Sequence, residues 1–107
     1  MRGDLVTIAL AGDFGKPRPA LVIQANQFDE HPTVTVLLMS STLVDAPFLR
    51  VNVVPDGGNG LQKTSQVMID KAMTIRREKI GAVVGRVNPR TLVEVDRCLA
   101  VFLGIAK

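Results

Sequence analysis

A cationic turn runs into an apolar strand at Gly15-Lys16-Pro17-Arg18-Pro19-Ala20-Leu21-Val22-Ile23. Each proline fixes its own φ, and Pro19 also restricts Arg18 to extended geometry. An arginine held in this way has little freedom left to lose when it binds a phosphate, so Arg18 is a candidate anion-binding residue. From these residues alone, a basic turn that opens an ordinary strand is an equally open interpretation.

The composition predicts one small domain that spans residues 1–107. The chain is 47% apolar, with no Trp or Tyr and four Phe, so its core must be aliphatic. The net charge of +3 permits contact with nucleic acid but also fits a mildly basic surface. One Cys and one His exclude an internal disulfide framework and a conventional structural zinc site. We see neither a membrane-spanning run nor a signal peptide, and we expect a cytoplasmic protein.

Short runs rich in Val, Ile, Leu and Thr, separated by Gly and Pro, predict a mainly β protein. Turns are predicted at residues 11–17, 26–32, 55–60 (PDGGNG) and 76–79. The predicted strands cover residues 5–10, 19–25, 33–39, 48–54, 65–70 with a continuation at 72–75 after a bend, and 82–87.

The last segment carries the signals of a helix. Asn88 fits an N-cap, Pro89 the first helical position, and Gly104 a stop. Cys98 lies at the edge of the apolar stripe and is interpreted as a small core residue. Because no helix separates the strands, we predict a small, strongly bent antiparallel barrel with this helix packed across one side. The stripe itself consists of Leu92, Val95, Leu99 and Phe102.

Motifs distributed over the whole chain match one known family in order and spacing. They are Arg2-Gly3-Asp4, RPALVI at 18–23, the strand at 33–41 that ends in hydroxyl residues, Gly60-Leu61, TSQVMID at 64–70, Thr74-Ile75, Ile80-Gly81 and Leu103-Gly104. Together they resemble the MazF/PemK/Kid family of toxin endoribonucleases, whose Arg-Pro-x-Leu-Val-Ile signature falls on residues 18–23.

The resemblance implies an SH3-like barrel that forms a homodimer and cleaves single-stranded RNA at specific sequences without a metal or other cofactor. It also implies an antitoxin partner, whose acidic, partly disordered segment covers the active face, and contact with DNA only through that antitoxin. By motif position, the family's active-site Arg falls on Arg18, its catalytic Thr on Ser40, and the Asp that some members use as a base on Asp70.

Three positions depart from the family's pattern. Asp13 stands where some members carry His, and Lys71 replaces the usual Gln after Asp70. Met68 stands where one branch has a second active-site Arg. These departures affect the assignment of acid and base more than the fold.

RNA cleavage without a metal needs a base for the 2′-OH, stabilisation of charge on phosphorus, and an acid for the leaving oxygen. Arg18 suits the second role, because a guanidinium pairs bidentately with phosphate oxygens. Ser40 is either a hydrogen-bond donor to the phosphate or a strand-end cap, and Asp70 is either the base or a turn residue. The residues predicted to bind RNA are Lys16, Ser41, Thr42 and Lys71.

Two other functions stay open. A CcdB-like protein has the same fold and poisons DNA gyrase, but it would need gyrase-contacting residues where this chain has Gly104-Ile105-Ala106-Lys107. A non-catalytic SH3-like binding module is the other alternative. The scarcity of aromatic residues disfavours the aromatic-lined groove that peptide-binding barrels use.

Overall fold

In a computed structural model, which describes residues 1–9 and 16–106, the chain forms six strands and one α-helix. Position 10 of the first predicted strand, and most of the predicted 11–17 loop with Asp13, lie outside the described residues. Single 3-10 turns, Asn26–Phe28 and Arg77–Lys79, occupy two of the other predicted turns. The elements are β1 (Asp4–Ala9), β2 (Pro17–Val22), β3 (Thr33–Ser40), β4 (Arg50–Val53), β5 (Ser65–Arg76), β6 (Ile80–Arg86) and α1 (Pro89–Phe102).

The described strands form one antiparallel sheet in the order β4-β5-β3-β2-β1-β6. The predicted class, mainly β with a C-terminal helix, is therefore confirmed. Strand pairing does not close the sheet into a full barrel, since β4 and β6 are its two outer strands.

Most strand boundaries differ from the prediction by one to three residues, because tertiary pairing decides where a strand begins and ends. For example, β2 ends at Val22 rather than at residue 25, and β6 begins at Ile80 rather than at residue 82. β2 begins at Pro17 rather than at residue 19, since Pro17 pairs with Ala9 of β1. β4 begins at Arg50 rather than at residue 48, after a turn in which the Leu49 and Arg50 amides both donate to Ala46 O (3.0 and 2.9 Å).

The predicted turn at residues 55–60 is stabilised by its own side chains. Asp56 Oδ1 accepts hydrogen bonds from the amides of Gly58 (2.8 Å) and Asn59 (2.9 Å). The side chain of Asn59 is buried, and its Nδ2 donates to Val54 O (2.9 Å). The turn therefore has a fixed shape even though glycines make up half of it.

The same turn links the two outer strands of the sheet. The Arg86 amide of β6 donates to Gly58 O (2.8 Å). Gly60 has a φ of +70°, and a Cβ at this position would lie 2.1 Å from Val84 O. Only glycine fits such an approach, so the chain following β4 is held against β6 by backbone contact.

The two sides of the sheet carry separate apolar clusters, as alternation along the strands requires. The helix-side core is covered by α1, whereas the second core lies between β1, β2 and β3. The helix-side core consists of Leu5, Leu21, Leu37, Met39, Val51, Val53, Val67, Ile69, Val87, Val95 and Cys98. The second core consists of Val6, Ile8, Ala20, Val22, Val34 and Val36.

Helix α1 begins and ends as its sequence predicts. Asn88 Oδ1 accepts the Thr91 amide (2.8 Å), and Gly104 adopts a φ of +76° after the last turn. Cys98 is buried in the helix-side core, which confirms its predicted role. The predicted placement of Phe102 on the buried face is wrong, because the core beneath the helix ends at Leu99 and Phe102 is 50% exposed.

No helix in the described part of the chain is both long and apolar enough to cross a bilayer.

Candidate functional site

The candidate residues Arg18 and Ser40 lie at the same end of two neighbouring strands. β2 and β3 are antiparallel, and Ala20 is paired with Leu38. The ladder ends at this pair, and the same register extended by two residues would put Arg18 across from Ser40. Arg18 is two residues from Ala20 in β2, and Ser40 is four residues from Val36 in β3. Because alternate residues of a strand share a face, both side chains belong to the face that carries the second core.

Arg18 is an exposed residue of β2 that lies opposite Ile8 on its other neighbour, β1. The flanking prolines keep the backbone extended at this position, so the Cα of Arg18 is fixed within β2. The arrangement is suited to binding an anion at the edge of the sheet.

Ser40 caps the end of its own strand. Its Oγ accepts a hydrogen bond from the Thr42 amide (3.0 Å) and makes a long contact with Thr42 O (3.5 Å). The Thr42 amide occupies one acceptor position of the hydroxyl, and the hydroxyl proton points to Thr42 O over the long distance of 3.5 Å. Donation to an external oxygen therefore requires the hydroxyl to rotate away from Thr42 O. Ser40 is thus both a strand-end cap and a hydrogen-bond donor held in a fixed place.

Asp70 and Lys71 lie midway along β5, in an irregular stretch of its pairing with β3. The pairing changes register between Leu37↔Ala72 and Met39↔Val67, so that residues 68–71 face Leu38. Lys71 Nζ lies 4.0 Å from Asp70 Oδ2, and the two side chains are 55% and 33% exposed. β5 continues through the whole segment, and the predicted bend is this shift in pairing.

The candidates lie on or beside three adjacent strands, with Arg18 at the start of β2, Ser40 at the end of β3, and Asp70 and Lys71 midway along β5. With neighbouring strands about 4.8 Å apart, the three span about 10 Å. Such a width fits contacts on both sides of a single phosphodiester. The exposed candidates are Lys16, Arg18, Ser41, Thr42, Asp70 and Lys71.

Sequence reasoning missed two polar residues beside Ser40. Gln66 is directly opposite Ser40 in the β3–β5 ladder and is only 4% exposed, and Arg50 of β4 donates to its side chain (3.2 Å). The available signal for Gln66 was a polar residue directly before the apolar run Val67-Met68-Ile69 of β5. Nothing in the alternating pattern around Arg50 distinguishes it from a solvent-facing residue.

A groove of about 550 Å³ runs between α1 and β4 and contains both charged and apolar groups. Arg97 donates to Glu94 (2.8 and 3.1 Å) and lowers the pKa of that carboxyl. Burial raises the pKa of the Cys98 thiol at the base of the groove. Arg50 lines the same groove and also contacts Thr42 O (3.5 Å), so this residue joins the groove to the segment that follows Ser40.

No three His, Cys, Asp or Glu side chains come close enough to hold a metal ion within residues 1–9 and 16–106. The candidate site there is built from guanidinium, ammonium, hydroxyl and one carboxylate.

Comparison with known proteins identifies the family. Residues 1–103 match the PemK-like, MazF-like toxins of type II toxin–antitoxin systems. The chain belongs to this family. A PemK/MazF relative from Mycolicibacterium smegmatis, described as a probable endoribonuclease MazF, is 44% identical over 106 residues, which cover 98% of this chain and 97% of the relative. The resemblance drawn from the motifs is confirmed.

Solved structures of PemK/MazF proteins have the same fold. The Mycobacterium tuberculosis toxin MazF-mt6 superposes with a TM-score of 0.82 at 22% identity, over 97% of this chain and 99% of the toxin. A mycobacterial endoribonuclease in complex with its cognate antitoxin gives a TM-score of 0.82 at 22% identity, over 100% of this chain and 97% of that one. At this identity the match establishes the fold alone.

Proposed function

We propose that this protein is the toxin of a type II toxin–antitoxin system and acts as a metal-independent, sequence-specific endoribonuclease on single-stranded RNA. The observation that carries the proposal is the position of Arg18 and Ser40 at one end of adjacent strands, on the same face of the sheet. Family membership and the endoribonuclease name of the 44% identical relative support it.

The reaction is an intramolecular transesterification, in which the phosphodiester is transferred from the 5′ oxygen of one nucleotide to the 2′ oxygen of the preceding one. The 2′-OH attacks phosphorus, a new P–O bond forms, and the bond to the 5′ oxygen breaks. The products are a 2′,3′-cyclic phosphate and a 5′-OH end. One proton leaves the 2′-OH for a base, and one is delivered to the departing 5′ oxygen.

Each residue receives the role that its chemistry permits. The Arg18 guanidinium pairs with the non-bridging oxygens and stabilises the charge that builds up on phosphorus. The Ser40 hydroxyl donates to a phosphate oxygen while the Thr42 amide keeps it in place. Asp70 is a carboxylate of β5 in the stretch opposite Leu38, two residues before Ser40 on β3, and we assign it as the base.

RNA binding is assigned to the exposed residues around these three. Lys16 and Lys71 supply positive charge, and Ser41 and Thr42 supply hydroxyls. The chain has four Phe and no Trp or Tyr, so stacking of bases on aromatic rings contributes little. Recognition of the RNA sequence therefore depends mostly on hydrogen bonds.

The partners follow from the same proposal. Exposed apolar residues on the last turn of α1, such as Phe102 (50%) and Leu103 (61%), support a homodimer. The antitoxin complex of the mycobacterial fold relative supports a cognate antitoxin with an acidic segment for the basic active face. DNA contact is expected only through that antitoxin, and we place the protein in the cytoplasm, where its RNA substrates are.

The test uses purified protein and a defined long RNA. We expect cuts that leave 5′-OH ends, and no cut at a preferred site whose preceding nucleotide carries a 2′-deoxy sugar, because the nucleophile is then missing. Cleavage of the 2′-deoxy substrate would contradict the mechanism. An intact RNA together with inhibited gyrase supercoiling would favour the CcdB-like alternative. An intact RNA with neither effect would favour a binding module.

A further inference from the structure

Gln66 is a buried polar residue whose side chain is fully engaged in hydrogen bonds. Its Oε1 accepts from the Val44 amide (3.0 Å) and from Arg50 Nη1 (3.2 Å). Its Nε2 donates to Val44 O (3.0 Å) and to Asn52 Oδ1 (2.8 Å). A carboxamide has two acceptor positions and two protons, so every one of them is used.

The two bonds to Val44 resemble the pairing between neighbouring strands. Gln66 binds both the N–H and the C=O of Val44, a residue outside any strand and 45% exposed. The middle of the segment of residues 41–49 is therefore attached to the sheet by the Gln66 side chain. At the end of the segment, the Ile69 amide of β5 donates to Leu49 O (2.9 Å).

The segment is attached at a second point by Arg50. Its Nη1 contacts Thr42 O (3.5 Å) as well as Gln66 Oε1 (3.2 Å). The amide of the same Thr42 donates to Ser40 Oγ (3.0 Å). A continuous set of contacts thus runs from Gln66 to the candidate active-site hydroxyl.

We propose that Gln66 is a positioning residue for the RNA-cleavage reaction, acting through Val44, Arg50 and Thr42 to hold the Ser40 hydroxyl and its neighbours in the reactive arrangement. The inference rests on the proposed function. It adds that the orientation of Ser40 is set from β5, by a residue that does not touch the RNA.

Gln66→Met tests the proposal, since it keeps the length of the side chain and removes all four hydrogen bonds. We expect kcat for a defined oligoribonucleotide to fall about 10- to 100-fold, as for a small displacement of reacting groups. KM should stay within about twofold of wild type, because the exposed cations that bind RNA are unchanged. Gln66→Glu places a carboxylate oxygen against the acceptors Val44 O and Asn52 Oδ1 and should therefore lower kcat at least as much as Gln66→Met.

Gln24→Met is the matched control. Gln24 donates to Phe28 O (3.2 Å) and Thr33 O (3.0 Å) and accepts from the Thr35 amide (3.1 Å). It therefore holds a loop at the opposite end of β3 with the same chemistry. We expect Gln24→Met to retain wild-type kcat and KM while losing thermal stability as Gln66→Met does.

Limited chymotrypsin digestion gives a readout that does not depend on activity. Gln66→Met should be cut faster at Leu43, Phe48 or Leu49, and Gln24→Met faster at Phe28 only. A wild-type kcat in Gln66→Met, equal losses of kcat in both Met variants, or unchanged digestion at residues 43–49 would each overturn the inference. If the wild type cleaves no RNA, the proposed function fails, and digestion still decides whether Gln66 holds the segment.

Discussion

Arg18 and Ser40 occupy corresponding positions at the same end of β2 and β3, two residues beyond the pair Ala20↔Leu38. The two positions are far apart in sequence, and the antiparallel arrangement of β2 and β3 puts both at the same end of the sheet. One side chain carries a permanent positive charge and the other a hydroxyl. Together they provide both kinds of contact that a charged phosphorus centre requires.

Replacing Arg18 with alanine should remove most of the cleavage activity. We expect kcat/KM to fall about 10²- to 10³-fold, the usual loss when one group that stabilises developing charge is removed. Arg18→Lys should recover only part of it, because an ammonium cannot bind two oxygens in a plane. Arg76→Ala is the control, since Arg76 pairs with Thr33 at the other end of the sheet. Near-normal cleavage by Arg18→Ala would remove Arg18 from the site.

Ser40→Ala and Ser40→Thr should differ in activity, because only the second keeps a hydroxyl. For Ser40→Ala we expect kcat to fall about tenfold or more, since it loses the donor and also the acceptor of the Thr42 amide. Ser40→Thr should remain within a few-fold of wild type. Thr33→Ala removes a hydroxyl at the opposite end of β3 and should leave cleavage unchanged. Equal rates for Ser40→Ala and Ser40→Thr would show that the hydroxyl has no chemical role.

Excess EDTA should leave the rate of RNA cleavage unchanged. The proposed site stabilises charge with a guanidinium and a hydroxyl, so chelation removes nothing that the reaction uses. The measurement compares initial rates with and without EDTA, with a metal-dependent nuclease in the same buffer as a positive control. A loss of activity that added Mg²⁺ restores would indicate a different mechanism.

Gly60→Ala should destabilise the fold without touching the site. A Cβ there would lie 2.1 Å from Val84 O, and the φ of +70° is itself unfavourable for alanine. We expect the free energy of unfolding to fall by more than about 2 kcal/mol in urea titrations. Gly57→Ala is the matched control, because nothing lies within 4 Å of a Cβ at that position. Equal stability of the two variants would contradict the contact with β6.

The Cys98 thiol should react slowly with DTNB in the folded protein and at the normal rate in denaturant. Burial keeps the thiol neutral and raises its pKa. Because the folded pKa is the higher one, this contribution to stability is complete below the ordinary thiol pKa of about 8.5 and is lost as the pH rises through the folded value. Immediate stoichiometric labelling of native protein at pH 8 would contradict the buried position.

Much of the fold was predictable because its signals are local. The Asn88-Pro89 start of α1, the Gly104 stop and the turn at residues 55–60 each depend on a few neighbouring residues. The burial of Phe102 was predicted wrongly, since periodicity describes a face of the helix but not how far the sheet extends beneath it.

The candidate site was predictable only as single residues. Motif positions indicated Arg18, Ser40 and Asp70. No local pattern predicts the order of the strands, or the register shift that places residues 68–71 opposite Leu38. The contacts of Gln66 join three separate segments of the chain. Because such a network depends on contacts between distant segments, no repeating pattern of polar and apolar residues predicts it.

The prolines of β2 have a consequence for the space beside Arg18. The Ile23 amide donates to Thr35 O (3.2 Å), so alternate residues of β2, counted back from Ile23, direct their amides toward β3. Two of these positions are Pro17 and Pro19, which have no N–H. The first residues of β2 therefore lack the amide donors that would bind them to β3. The two missing N–H donors account for the end of the β2–β3 ladder at Ala20↔Leu38, so the start of β2 is held in the sheet by its pairing with β1.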